Sequence, residues 1–272
     1  MRRFSWFNAT ALSLGFAFLY IPMIILVIYS FNASKLVTVW AGFSTQWYGE
    51  LFRNEEFLSA AWVTIKVAVM SSTIATILGT MAAYVLVRAG RFSGRTLFSG
   101  MIYAPLVMPE VITGLSLLLL FIGIGLDRGV LTIVLAHTTF SMCYVSVVVS
   151  SRLVSFDKSL EEAALDLGCS PFEAFRLVTL PIIAPAVISG WLLAFTLSLD
   201  DLVIASFTTG PSATTLPIKI FSAVRLGVSP EINALSTIMI GLVTVAVITA
   251  SLITKQAAVR QARDERMAER PA

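Results

Sequence analysis

Residues 156–181 read Phe156-Asp157-Lys158-Ser159-Leu160-Glu161-Glu162-Ala163-Ala164-Leu165-Asp166-Leu167-Gly168-Cys169-Ser170-Pro171-Phe172-Glu173-Ala174-Phe175-Arg176-Leu177-Val178-Thr179-Leu180-Pro181. Ser159 with Glu162 three residues on has capping-box spacing, which predicts a helix start. Leu160, Ala163, Ala164 and Leu167 then fall on one apolar stripe of that helix. Gly168 stops it, because the residue just past a helix end often needs positive φ. A second start follows at Ser170, with Pro171 suited to the first helical position and Glu173 completing another box. Phe172, Phe175 and Val178 give this piece an apolar face, and Leu180-Pro181 is expected to end it. Helices this short do not hold themselves together in water. They must pack on something, either the protein's own surface or a groove on a partner, and their amphipathic pattern leaves both open.

The surroundings of this stretch are apolar. The chain has 272 residues, 57% hydrophobic and 13% charged, with mean hydropathy +0.87. An average soluble domain carries about a quarter charged residues, and a soluble fold has too little interior for this much apolar surface. An all-α membrane protein is the fold class this implies. Runs long enough for a bilayer, about 20 residues each, occur at 9–31, 62–87, 97–123, 130–151, 182–207 and 234–254. Pro105, Pro109 and Pro185 interrupt or edge the third and fifth. The first run, Ala9 to Phe31, exceeds the roughly 7–15 apolar residues of a signal peptide, so it is expected to remain as a span anchored by Arg2 and Arg3. The organisation expected is an N-terminal end with the first span (1–31), an outer loop (32–61), a five-span core (62–255) holding the loop 152–181, and a charged tail (256–272).

Orientation follows from basic residues. Of the 19 Lys and Arg, Lys35, Arg53, Lys66, Arg128, Lys219 and Arg225 fall on one side and the remaining thirteen on the other. Six crossings with both termini cytoplasmic satisfy that split and put residues 152–181 in the cytoplasm. The net charge of +3 is scattered rather than gathered on one face, which argues against nucleic-acid binding. Trp40, Trp47, Tyr48 and Trp62 read as interface anchors. Cys143 and Cys169 have no metal-ligand spacing.

Ionisable residues inside spans are costly and mark pathways. Glu110, His137 and the pair Asp200-Asp201 qualify, and counting helical rise places all of them in the outer half of the membrane. Adjacent carboxylates suit a cationic solute, which loses hydration on entry. Trp191 and Phe195 would add cation–π contact. The plainer alternatives are a water-facing helix end for the aspartates, a proline kink at Glu110 and an internally bonded histidine. No G-x-x-x-x-G-K-[ST] phosphate loop occurs, and no nucleophile–base pair or metal cluster has usable spacing along the chain.

Glu162-Ala163-Ala164, Gly168 and Val178-x-Leu180-Pro181 resemble the EAA signature of ABC importer permeases, with Val178 in place of the usual isoleucine. Asp200-Asp201 within Ser198–Pro211, the run Thr214–Pro217 and the run Ala104–Gly114 resemble the spermidine/putrescine branch of that family. Ser34–Gly42 and Ser229–Leu235 resemble its putrescine-specific members most closely. The resemblance implies a type I, MetI-like permease of six transmembrane helices in the bacterial inner membrane. Its coupling residues would be Glu162, Ala163, Ala164, Gly168, Leu180 and Pro181, and its solute pathway would include Asp200, Asp201, Glu110 and Trp191. It also implies a second, homologous permease, a homodimeric ABC ATPase that uses ATP and Mg, and a periplasmic polyamine-binding protein. The chain itself would bind lipid but no cofactor, metal or nucleic acid and would catalyse no reaction. Rivals are the same machine carrying spermidine or another small solute, an ATP-independent secondary carrier, and a membrane-embedded enzyme.

Overall fold

The computed structural model describes residues 6–36, 39–227, 229–245 and 248; the basic pair Arg2-Arg3 and the tail from Lys255 lie outside them. The helices are α1 (Trp6–Tyr29), α2 (Gln46–Leu51), α3 (Glu55–Arg88), α4 (Arg95–Val107), α5 (Glu110–Gly123), α6 (Val130–Ser155), α7 (Ser159–Asp166), α8 (Pro171–Ala174), a π-helical turn (Phe175–Thr179), α9 (Leu180–Asp200), α10 (Val203–Thr208) and α11 (Leu216–Leu226). A further apolar helix, α12, covers Pro230–Val245. Among the described residues, α1, α3, α6 and the continuous run Pro171–Asp200 are long and apolar enough to cross a bilayer. The sixth expected run, 234–254, lies partly outside the described residues.

Two expected spans are broken. The third is not one helix over 97–123 but α4 and α5, bent by 117°. Pro109 lacks an N–H and pushes the residue before it out of the helical region, and Met108 is accordingly extended at ψ 137°. The fifth does not run to residue 207. It stops at Asp200, passes through an extended Asp201 (ψ 123°), and resumes as α10. The second span starts at Glu55, before the expected residue 62.

The chain divides into two compact units, residues 56–222 and residues 1–55 with 223–272. In the first, α3, α6 and α9 approach closely through small residues. Val145 of α6 lies between Gly79 of α3 and Gly190 of α9, and Ala75, Ala83, Val149, Ile183 and Ala194 fill the rest of that core. Where lipid is as apolar as the side chains, such contact is what brings helices together. In the second unit, none of α1's side chains is buried. Buried Asn32 ties the following loop: its Nδ2 donates to Val39 O (2.8 Å), and its Oδ1 accepts the Ser34 and Ala41 amides (3.2 and 2.9 Å). Trp47 donates its indole N–H to Asn32 O at 2.6 Å and is 3% exposed, so it belongs to this knot and is not an interface anchor; Trp40 and Trp62 are exposed.

A Cβ on Gly79 would lie 2.7 Å from Met142 O and 2.8 Å from Val145 Cβ, whereas one on Gly100 would meet nothing within 4 Å. Gly79→Ala is expected to cost about 1–3 kcal/mol through overpacking and Gly100→Ala nothing, checked by thermal unfolding of the two purified variants in detergent.

Candidate functional site

Two places carry the residues singled out by sequence. The first is the loop between α6 and α9. Its first capping box does not form: Lys158 stands at the N-cap, and Asp157 Oδ1 accepts the Ser159 amide at 3.0 Å instead. Ser159 is already helical, so the acid two residues back is the group that reaches its N–H. Glu162 points outward and pairs with Lys158 at 2.9 Å. The α7 end is a Schellman turn: Gly168 has φ +92°, its N–H bonds Leu165 O (3.0 Å), and Cys169 N–H bonds Ala164 O (3.1 Å). The second box closes both ways, with Ser170 N–H on Glu173 Oε2 (2.8 Å) and Glu173 N–H on Ser170 Oγ (3.3 Å).

Leu180-Pro181 does not end the second helix. The chain stays helical from Pro171 to Asp200 by widening at Phe175–Thr179, where Leu180 N–H reaches back to Phe175 O. Pro181 has no N–H to donate, and a wider turn carries its ring past the preceding carbonyls without breaking the helix. Leu180 packs at the edge of the α3–α6–α9 core, and Pro181 is exposed.

The expected apolar stripe of α7 is divided. Ala164 is buried, while Leu160 (49%) and Leu167 (87%) are exposed, as is Ala163. The residue that fixes α7 is Glu161, which sequence reasoning passed over. It is buried, ion-paired with Arg88 of α3 at 3.1 Å, and accepts the Thr179 hydroxyl at 2.7 Å. The signal available was its i, i+3 relation to Ala164, on the flank of α7 about 100° round from Leu160.

The second place is the break between α9 and α10. Asp201 Oδ1 and Oδ2 accept the Ile204 and Ala205 amides (3.3 and 2.7 Å), covering the first free N–H groups of α10. His137 of α6 places Nε2 3.1 Å from Asp201 Oδ2 and Nδ1 2.6 Å from Ser198 Oγ. Ser71 of α3 donates to Ser198 Oγ at 3.2 Å. An ionised carboxylate only accepts, so Nε2 carries the proton, and Nδ1 accepts from Ser198. Every donor in the chain then points toward one buried negative charge, which the end of α10 also stabilises. The components of a Ser-His-Asp triad are thus brought together, with His137 of α6 meeting Ser198 and Asp201 from 61 and 64 residues away. Ser198, however, is 4% exposed and bonded on both sides, to Ser71 and His137. The network locks the break in place.

The two aspartates therefore part company. Asp201 is consumed by the lock, while Asp200, the last residue of α9, is exposed. Glu110 opens α5 and is exposed, within electrostatic reach of the Tyr144 hydroxyl on α6. Trp191 gives its indole N–H to Thr73 of α3 (3.1 Å) and stacks on Phe195 with ring centroids 5.2 Å apart.

His137→Ala leaves both Ser198 and Asp201 short of a partner and is expected to destabilise the protein by about 3–5 kcal/mol. Asp200→Asn is expected to leave stability unchanged, and thermal unfolding of the two variants decides between the residues. In the loop, the Ser159 amide holds the Asp157 carboxyl below its usual value, and the Ser170 amide does the same for Glu173. A lowered carboxylate stabilises its cap above its ordinary pKa and loses that effect as pH falls through the lowered value. Hydrogen exchange at the Ser159 and Ser170 amides should therefore stay slow through mild acid and accelerate only below the usual carboxylate range.

Comparison with known proteins agrees with this architecture. Residues 75–263 match the family described as "Binding-protein-dependent transport system inner membrane component". The chain is 59% identical over 265 residues to the putrescine transport system permease protein PotI of Escherichia coli K12, covering 95% of this chain and 94% of that one. It is 46% identical over 240 residues to the spermidine/putrescine transport system permease protein PotC of the same strain, covering 88% and 90%. Among solved structures, a chain of a bacterial ABC transporter for the acidic polysaccharide alginate superposes with a TM-score of 0.69 at 18% identity, covering 91% and 94%. A chain of the MetNI methionine ABC transporter does so with 0.61 at 14% identity, covering 74% and 95%. A bent third span, a broken fifth span and a capped helical loop between α6 and α9 are thus the local features of a chain that belongs to the inner-membrane components of binding-protein-dependent transport systems.

Proposed function

We propose that this chain is one permease subunit of an ATP-driven ABC importer that carries a polyamine, putrescine first among them, from periplasm to cytoplasm. The observation that carries this reading is the outward face of α7 and α8. Leu160, Leu167 and Phe172 stand 49%, 87% and 70% exposed on helices too short to persist unsupported. A nucleotide-binding subunit gripping that face supplies the missing support, with Glu162, Ala163 and Gly168 at the contact and its hinge. ATP and Mg are used there, and this chain holds no cofactor and catalyses no reaction.

The rest of the machine follows the family. A homologous permease completes the membrane unit, and a polyamine-loaded periplasmic protein docks on the loops around 32–61 and 208–233. Both termini lie in the cytoplasm, as the basic residues require. The solute passes Asp200, the free carboxylate beside the lock, and Glu110 at the α4–α5 bend. A diammonium ion loses hydration on entering the cavity, and carboxylates offset that cost. The high identity to permeases named for putrescine and for spermidine/putrescine supports the polyamine.

The test is uptake of labelled putrescine by the reconstituted assembly, with unlabelled putrescine, spermidine and sulfate as competitors. Putrescine should compete best and sulfate not at all. Asp200→Asn should weaken uptake several-fold while the ATPase rate is kept; unchanged uptake removes Asp200 from the pathway. Uptake that persists without the ATPase subunit would mean a secondary carrier.

A further inference from the structure

We infer that the buried cluster Arg88–Glu161–Thr179 is the joint through which motion of the α7–α8 loop reaches the membrane spans, with Arg88 and Glu161 its positioning residues. The inference rests on the docking reading above. Arg88 is the last residue of α3, and its Nε lies 3.1 Å from Glu161 Oε2 with the two side chains only 11% and 10% exposed. The same guanidinium donates from Nη2 to Phe156 O at 3.4 Å, at the end of α6, and stands 5.4 Å from the centre of the Phe156 ring. Glu161 Oε1 accepts the Thr179 hydroxyl, the last residue of the π-turn at the base of α9. One turn back on α3, Tyr84 meets Phe175, the first residue of that turn, with ring centroids 5.0 Å apart and planes at 72°. Four elements are tied at one point by charge, hydrogen bonds and ring contact.

The other ion pair of α7, Lys158–Glu162, lies within the helix itself at 62% and 57% exposure and ties α7 to nothing beyond it. Glu161 is therefore the polar attachment of α7 to the spans. Pulling one member of a buried pair from the other leaves an uncompensated charge, which is strongly disfavoured. A force on the outer face of α7 accordingly moves the end of α3 and the base of α9 with it. Helix α9 runs without interruption from this joint to Asp200. The π-turn, where helical hydrogen bonds are widened, is the pliable segment between α8 and the Thr179 attachment at the base of the shaft. With the Glu161 charge removed, α7 follows the nucleotide-binding subunit and the spans do not follow α7.

The experiment uses the complete transporter in proteoliposomes with putrescine-loaded binding protein, measuring ATP hydrolysis and labelled-putrescine uptake in the same sample. Glu161→Gln and Arg88→Gln should retain the ATPase subunit through purification yet lower uptake per ATP hydrolysed by between about twofold and thirtyfold. Thr179→Val, which removes one hydrogen bond and no charge, should lower it less. The exchange Arg88→Glu with Glu161→Arg should recover part of the loss, which a merely structural role does not predict for the ratio. If Glu161→Gln fails to insert, Thr179→Val decides: a lowered ratio supports the joint, and a wild-type ratio overturns it. A wild-type ratio in an inserted Glu161→Gln also overturns it. Leu167→Glu on the outer face separates the two readings. Loss of the ATPase from that variant, with Glu161→Gln unaffected, sinks the joint alone. Retention of the ATPase and of uptake in Leu167→Glu sinks the docking reading.

Discussion

Backbone N–H and C=O groups have no water to turn to within a bilayer, so a span can be broken only where the protein itself satisfies what the break frees. The break between α9 and α10 meets that condition through one carboxylate. Asp201 takes two amides of α10, His137 holds the carboxylate, Ser198 holds the histidine, and Ser71 holds the serine. Four helices, α3, α6, α9 and α10, are thereby fixed around a single carboxylate. The α10 segment is secured further along by Thr132 of α6, whose hydroxyl donates to Thr208 O at 2.7 Å. Against α5, Gly114 lets the Phe207 ring approach so closely that a Cβ would sit 2.6 Å from it. A broken span this well satisfied holds its geometry, so the exposed carboxylate next to it is held in place as well.

The same helix links this break to the cytoplasmic loop. Counted from Pro171, the helical run ending at Asp200 has 30 residues, about 45 Å at the usual rise. One end carries the capped loop and the other the free acid, and between them the helix leans on Val145 through Gly190. A helix packed through small residues follows its neighbour closely. The Phe175–Thr179 turn is where such a shaft can change angle, because its backbone bonds are already widened to pass Pro181.

Much of this was legible in the chain. Apolar runs gave the first, second and fourth spans, Ser170 with Glu173 gave a cap that forms as written, and Gly168 gave a left-handed turn. The failures have physical causes. Proline signals a stop at Leu180-Pro181, but a π-turn absorbs it; at Pro109 the same residue type makes a sharp bend, because Met108 and Pro109 both take extended backbone. The aromatic neighbourhood of Trp47 suggests an interface anchor, while its indole N–H is spent on Asn32. The lock was invisible because Ser71, His137 and Ser198 are distant in sequence, and nothing local in any one of them announces the other two. Family likeness pointed at Glu162 and the aspartate pair; only packing separates which of each adjacent pair faces inward.

That separation recurs with a different local cause at each place. On α7 adjacent residues differ by about 100° around the axis, so Glu161 and Glu162 do not share a face; at the α9–α10 break the helix ends at Asp200 and the extended Asp201 leaves it. At Glu161-Glu162 the first turns in to Arg88 and the second out to Lys158; at Asp200-Asp201 the second turns in to His137 and the first out. In both pairs the inward acid is compensated and architectural, because a carboxylate left bare in an apolar interior is too costly to keep. The outward acid makes little or no demand on the fold, which leaves it available to something outside the chain. An architectural acid beside an outward-facing one is therefore the unit common to both places. Each inward acid thereby sets the position of its outward neighbour.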